Sequence, residues 1–344
     1  MAECRATRHV CLVAVPEASA GTVTELFEAL QDFSPLSWVD PSLGHTRPFS
    51  LGIVAPGDGP LRFRSGLTLA GTSRVDEVTR TDIVIVPPLM VPAGGDWQTG
   101  RYPETVAWLR RMHDAGAQLC SACTGLLLLA ETGLLDGRTA TTHWAIAEMF
   151  RRTFPAVSLD LDKTLIVAGE RQQFLLSGAA SAWQDLALCL IARYLGTAVA
   201  QACARFHALN AHVEGMAPYR AFLPRLDHDD AAVQRAQHWI GENLACAAPV
   251  DSMSIQARLS ERNFKRRFTR ATGLTPLRYV QELRIDQAKK LLERTREPVH
   301  EIAWLVGYED PAFFRRLFKR LVGITAHEHR RRFSLSRLES GAAV

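Results

Sequence analysis

The chain has 344 residues, 47% of them hydrophobic, and a formal net charge of +4, long enough for two domains with cores of their own. Its seven cysteines are odd in number and lie mostly in apolar surroundings, which argues against a disulfide framework and suits reduced thiols in a cytoplasm. The apolar run at 10–15 is too short for a signal-peptide core, and no stretch approaches the length of a membrane span.

Residues 10–15 read as a buried strand and 22–30 as a helix with Leu26, Phe27 and Leu30 inward. Strands follow at 51–54 and 67–69, and 82–87 is a buried strand that runs into a Pro/Gly loop over 87–100. A helix at 105–115 and a strand at 117–121 lead to a sharp turn, Ala122-Cys123-Thr124-Gly125, and a helix at 126–132. Strands alternating with helices of this length predict a doubly wound α/β sheet. Beyond 138–142 come a helix at 144–152, a hairpin within 157–176, a helix at 181–195 and a closing helix at 198–212. Residues 215–227, with Pro218 and Pro224, read as a linker, and a helix at 230–243 opens a second region.

The turn at Cys123 has the form of a nucleophile elbow, in which a strand-to-helix turn exposes a thiol and the helix N-terminus lowers its pKa and offers N–H groups to an anion. Cys120 completes a C-x-x-C but falls inside the strand, which argues against a redox pair. The longer run is Cys123-Thr124-Gly125, Leu129-Ala130, Gly133-Leu134-Leu135-Asp136-Gly137-Arg138 and Thr141-Thr142-His143-Trp144. With Ser177-Gly178-Ala179 and Asp185-Leu186-Ala187-Leu188, it resembles the PfpI-like branch of the class I glutamine amidotransferase superfamily. The resemblance implies a flavodoxin-like α/β fold, with Cys123 as the elbow cysteine and His143 as the histidine near it. Catalytic members also place an acidic residue on the loop after the first strand. Anchored on Glu25-Leu26-Phe27, that position here is Ser19, with Glu17 two residues away. A thiol without base or carboxylate loses much of its activation. The expectation is therefore an effector pocket at Ser19, Cys123, Thr124, His143 and Trp144, with no catalytic residue. Its ligand would be a small polar metabolite, nitrogenous by analogy with the family.

The last third is basic: from His228 on there are 21 Lys and Arg against 14 Asp and Glu, and before it 19 against 22. That asymmetry points to a nucleic-acid partner for this part alone. It also contains an internal repeat. Phe264 falls on Phe314, Arg266 on Arg316, Phe268 on Phe318, Arg270 on Arg320, Gly273 on Gly323 and Thr275 on Thr325. Each copy reads as an amphipathic helix with Ser260 or Asp310 as N-cap, Pro311 at the first position of the second, and Gly273 or Gly323 at the end. The apolar stripes are Phe264, Phe268, Ala271 and Phe314, Phe318, Leu321. Opposite them lie Arg262, Lys265, Arg266 and Thr269 in one copy, and Ala312, Arg315, Arg316 and Lys319 in the other. A short helix precedes each, at 253–257 and 302–306, which makes two helix-turn-helix units. The candidate DNA contacts are these cationic faces together with Asn263, Arg270 and Pro311.

Between the copies, 276–296 reads as one helix of roughly 30 Å, close to the roughly 34 Å of one B-DNA turn, so it can hold two readers in successive major-groove segments. The residues Glu301-Ile302-Ala303, Gly307-Tyr308, Phe314, Phe318-Lys319, Gly323 and Arg330 resemble the AraC/XylS family of transcriptional regulators. Two positions depart from that pattern: Arg258 stands where the first turn often has Gly, and Ala326 where the second copy usually has Pro. The two resemblances together are those of the GlxA family of regulators. They imply a PfpI-like sensor over 1–214, a linker at 215–227, an AraC-type DNA-binding domain over 228–335 and a tail at 336–344. The implied partners are a double-stranded DNA operator, the effector, a second copy through the N-terminal domain, and RNA polymerase as a further candidate. No cofactor or metal is expected, because His327 and His329 lack companion ligands and suit solvent or the DNA backbone. The other open reading is an active thiol enzyme of the amidase, protease or glyoxalase type that carries a DNA-binding module.

Overall fold

The computed structural model describes residues 7–41, 43, 48–92 and 95–334. The chain divides into two compact units between Met216 and Ala217. The tail at 336–344 and Cys4 lie outside the described residues.

The first unit runs β1 (Arg8–Val13), α1 (Ala20–Gln31), β2 (Phe49–Ala55), a short hairpin β3 (Leu61–Arg62) and β4 (Thr68–Leu69), β5 (Ser73–Arg74), β6 (Ile83–Val86), α2 (Pro103–Asp114) and β7 (Gln118–Ala122). It continues with α3 (Leu126–Ala130), β8 (Thr139–Ala140), α4 (Ala147–Thr153), β9 (Ser158–Leu159), β10 (Leu165–Ala168), β11 (Phe174–Ser177), α5 (Trp183–Leu195) and α6 (Thr197–Phe206). Seven strands form one sheet in the order β10-β11-β7-β6-β1-β2-β5, parallel except where β10 meets β11. Its strands are continuous apolar runs because both faces are covered. Residues of β1 and β6 alternate between two cores: Cys11, Val13, Val84 and Val86 face Trp108 and Leu126–Leu129, while Val10, Leu12, Ile83 and Ile85 face Leu26, Leu30, Leu186 and Leu190. This is the doubly wound α/β sheet expected from the sequence.

Three details differ from the sequence reading. The hairpin placed within 157–176 is β10 with β11 only, while β9 pairs in parallel with β8. The helix expected over 198–212 ends at Phe206; Ala208 turns left-handed at φ 51°, a conformation that breaks a helix. The helix expected over 144–152 starts as a 3₁₀ turn at Trp144–Ile146 before α4.

The second unit is helical: α7 (Ala231–Glu242), α8 (Pro249–Ala257), α9 (Glu261–Thr272), α10 (Pro276–Arg294), α11 (Val299–Leu305), α12 (Pro311–Val322) and α13 (Ala326–Phe333). It holds two small cores. Tyr279 and Val280, near the start of α10, join Val233, Ile240, Met253, Phe264 and Phe268. Ile285, Ala288 and Leu292, further along the same helix, join Ile302, Phe314, Phe318 and Leu321. One helix therefore serves both copies of the repeat.

The segment 215–227 is not the free linker that its prolines suggested. From 217 on it is fastened to the second unit: Phe222 N–H donates to Asp286 at 3.1 Å, the Lys289 ammonium to Arg220 O at 2.6 Å, and Gln237 to Arg225 O at 2.9 Å. Phe222 packs edge-on against Tyr279, and Tyr219 against Phe333. Two aromatic side chains within four residues outweigh the turn-forming prolines.

Candidate DNA-reading helices and the cysteine elbow

In α9, Phe264 and Phe268 are fully buried and Ala271 half-buried, while Arg262, Asn263, Lys265, Arg266, Thr269 and Arg270 are exposed. In α12, Phe314, Leu317, Phe318 and Leu321 are buried, Arg315, Arg316 and Lys319 exposed, and Pro311 and Ala312 half-buried. Each helix thus spends one face on its core and leaves a cationic face open, as the spacing predicted. Ion pairs on these faces are superficial. Lys265 pairs with Glu261 one turn earlier, and Arg316 stands 4.0 Å from Asp310. Exposed pairs of this kind are worth little and exchange readily for phosphate.

The helix ends are set by local chemistry. Gly273 and Gly323 take left-handed φ values of 76° and 84° and close α9 and α12. Asp310 caps α12 through a 2.7 Å bond from Ala312 N–H. Ser260 holds the cap position of α9, but its hydroxyl makes no capping bond, contrary to the expectation from its type. The paired Thr275 and Thr325 cap the following helices, with Thr275 accepting from Arg278 N–H. At the second copy Thr325 and Glu328 form a reciprocal capping box. That box starts α13 where Ala326 replaces the usual proline.

The turns ahead of the reading helices are unequal. In the first, Arg258 adopts φ 56° two residues before Ser260; in the second, Gly307 adopts φ 88° three residues before Asp310. A Cβ at Gly307 would stand 2.7 Å from the Arg284 guanidinium and 2.8 Å from Ala245 Cα, so the glycine is required there by space as well as by φ. Arg284 is 6% exposed. Its guanidinium donates to Leu244 O at 2.7 Å, Cys246 O at 2.6 Å and Gly307 O at 2.9 Å.

Sequence reasoning passed over Arg284, Lys289 and Arg267, which it had no reason to separate from the surface cations. One signal was present for Arg267: it falls on Leu317, a core residue of the other copy, so a cation there needs an internal partner. That partner is Asp230, the cap of α7, bonded at 2.7 and 2.8 Å. His329 corrects an expectation. It is fully buried, with Nε2 2.9 Å from Glu293 Oε1 and its ring against Phe318 and Phe333, so it is a packing residue rather than a contact for solvent or DNA. Its neighbour His327 is exposed.

In the first unit Cys123 sits at φ 55° at the end of β7, the strained turn that an elbow requires. Gly125 is obligatory, since a Cβ there would lie 2.4 Å from Val86 O and 2.5 Å from Pro87 O. The thiol itself is not poised for attack. It is 3% exposed, and burial pushes its pKa up to about 11, only partly offset by contacts with Thr124. Neither His143 nor Glu17 contributes to that shift.

The five residues expected to form one pocket have separate tasks. The Thr124 hydroxyl donates to Leu89 O and accepts from Leu89 N–H, at 2.7 and 2.8 Å. His143 accepts from Ala145 N–H through Nδ1, and its ring packs tilted on Trp144; burial lowers its pKa, keeping the ring neutral. Ser19 caps α1, accepting from Thr22, and lines a groove of 460 Å³ to which none of the other four belongs. Glu17 is buried, with Arg101 at 2.5 Å, the Tyr102 hydroxyl donating to its other oxygen, and Arg64 at 3.9 Å.

Two helix-turn-helix units with open cationic faces on a shared helix define a DNA-binding transcriptional regulator. Residues 253–332 match the family model of a helix-turn-helix domain, and residues 10–169 that of the DJ-1/PfpI family. The chain is 26% identical over 286 residues to the HTH-type transcriptional regulator CdhR of Pseudomonas aeruginosa, covering 80% of each protein. It is 28% identical over 296 residues to the HTH-type transcriptional regulator GlxA of Rhizobium meliloti, covering 81% of this chain and 84% of that one. Over 58% of this chain and 99% of the other, the fold is shared with a crystallised protein of Vibrio parahaemolyticus titled as a transcriptional regulator, at TM-score 0.50 and 20% identity. The chain is a DJ-1/PfpI domain joined to an AraC-type helix-turn-helix domain, built like these regulators.

Proposed function

We propose that the chain is a cytoplasmic, ligand-controlled regulator whose first unit senses a small molecule without turning it over. The second unit reads two successive major-groove segments of an operator. The observation that carries the DNA half is the matched pair of exposed faces, Arg262, Lys265 and Arg266 on α9 and Arg315, Arg316 and Lys319 on α12, each opposite a fully buried phenylalanine stripe. The 19 residues of α10 between them span about 28 Å at about 1.5 Å each, so the faces suit adjacent grooves. Operator selection from a random duplex pool tests this. Enrichment of a site with two separated blocks of fixed bases is expected, with loss of one block in each of Arg266→Ala and Arg316→Ala. A pool that stays random would sink the reading.

Three features support a sensor that does not catalyse. The Cys123 thiol is buried and protonated at neutral pH, the acidic position holds Ser19, which serves as a helix cap, and the carboxylate of Glu17 is taken up by Arg101 and Tyr102. A thiol is reactive as its thiolate. Iodoacetamide at neutral pH should therefore label Cys123 more slowly than a free cysteine; faster labelling, accompanied by turnover of an amide or aldehyde, would establish the enzyme reading instead. A homodimer held through the first unit would give two linked readers and raise avidity at cellular salt. Light scattering of the full chain should show twice the monomer mass at micromolar concentration. RNA polymerase is a further partner in this reading, as for any regulator that activates.

A further inference from the structure

In the seven-stranded sheet β1 lies beside β6, and the chain leaves this pair in opposite directions, towards β2 on one side and β7 on the other. A doubly wound sheet opens a crevice at such a reversal, outside the carboxyl ends of the two strands, and ligands bind there. The groove of 460 Å³ occupies this place. It is lined by Ser19 at the cap of α1, by Met90 and Pro92 of the loop after β6, and by Arg64 and Leu67 of the β3–β4 hairpin. Its volume suits a small molecule.

The charge on its wall is unbalanced. Glu17 is already matched by Arg101 at 2.5 Å and by the Tyr102 hydroxyl. Arg64 stands off at 3.9 Å with its side chain 53% exposed, so most of its charge is left to the groove. The first turn of α1 adds Ala20 and Gly21 to the lining, and an α-helix cannot itself satisfy first-turn N–H groups. The same lining includes two large apolar side chains that the fold leaves open, Leu67 at 62% and Met90 at 60% exposure. A cation beside an uncovered apolar wall fits an anion with an apolar body, and the planar guanidinium favours a carboxylate.

We propose that this switch-point groove is the effector site and that it takes a small monocarboxylate with an apolar body. The carboxylate meets Arg64, and the apolar part covers Leu67 and Met90. The proposal rests on the sensor reading above and moves the site away from Cys123. It is tested on the full chain by calorimetry with hexanoate, with hexanamide as its neutral twin. Hexanoate should bind, and both the amide and the Arg64→Met variant should lose about tenfold in affinity, about 1.4 kcal/mol, while Arg64→Lys should recover part of it. The ligand-free melting temperature of Arg64→Met, and its binding to unselected duplex, should equal those of wild type, so that a folding defect is separated from a lost contact. Equal binding of acid and amide, undiminished binding by Arg64→Met, or no binding of hexanoate at all would overturn the proposal. Failure of wild type to bind any duplex would instead remove the regulator reading and leave the hexanoate result to stand by itself.

Discussion

The two helix-turn-helix units share one stencil of phenylalanines and cations, yet they close their turns by opposite means. The first accepts a left-handed arginine, Arg258, and begins its reading helix on a serine that makes no capping bond. The second uses Gly307, an extra residue in the turn, and the bonded cap Asp310. The second turn is also braced from outside, by the Arg284 guanidinium on Gly307 O. The same guanidinium holds Leu244 O and Cys246 O just ahead of α8, the scaffold helix of the first helix-turn-helix. The two faces thus keep one pattern, while the turns behind them differ with what each is packed against.

The comparison is broken most severely at Arg284. Arg284→Met leaves three carbonyls without their buried cationic donor and should remove on the order of 3 kcal/mol of stability, measured by urea unfolding of the full chain. Next come the turns. Gly307→Ala must place a Cβ against Arg284 and Ala245 and should destabilise by roughly 2–3 kcal/mol. Arg258→Gly removes a left-handed non-glycine and should stabilise by about 1 kcal/mol. Equal and opposite turns would show the same sign at both sites, and that result would refute the distinction drawn here.

The readers themselves come third. Arg266→Ala and Arg316→Ala should each weaken operator binding by about 1–3 kcal/mol if the guanidinium reads a base, and should lower the salt slope by about one if it meets phosphate. Anisotropy titrations on specific and random duplexes at several salt concentrations separate the two. The caps give the smallest effect. Asp310→Ala should lower stability by about 1 kcal/mol, and Ser260→Ala by only a few tenths, because its hydroxyl makes no bond to lose. Similar losses at both positions would mean that Ser260 caps in solution.

What could be read in advance was whatever depends on neighbours along the chain. The phase of Phe264 and Phe268 against Arg262 and Arg266, the glycine ends at Gly273 and Gly323, and the Cys123 elbow before Gly125 all follow from spacing within a few residues. What could not be read depends on partners far away. Arg284 looks like any helix cation until Gly307 arrives from 23 residues downstream, and Lys289 is buried only because Arg220 O folds onto it. Ser19 marked the absence of an acid in the sequence. That it caps α1 and lines a groove apart from Cys123 required the sheet order, which places the turn after β1 beside the loop after β6.

The fastening of residues 217–227 has a mechanical consequence. Asp286 and Lys289, which hold Phe222 N–H and Arg220 O, lie past the midpoint of α10, on the stretch whose other side packs against Phe314 and Phe318 of α12. The entering chain is therefore fastened to the half of α10 that carries the second core, and not to the half that carries the first. A pull delivered there would reach α12 through this shared core before it reached α9.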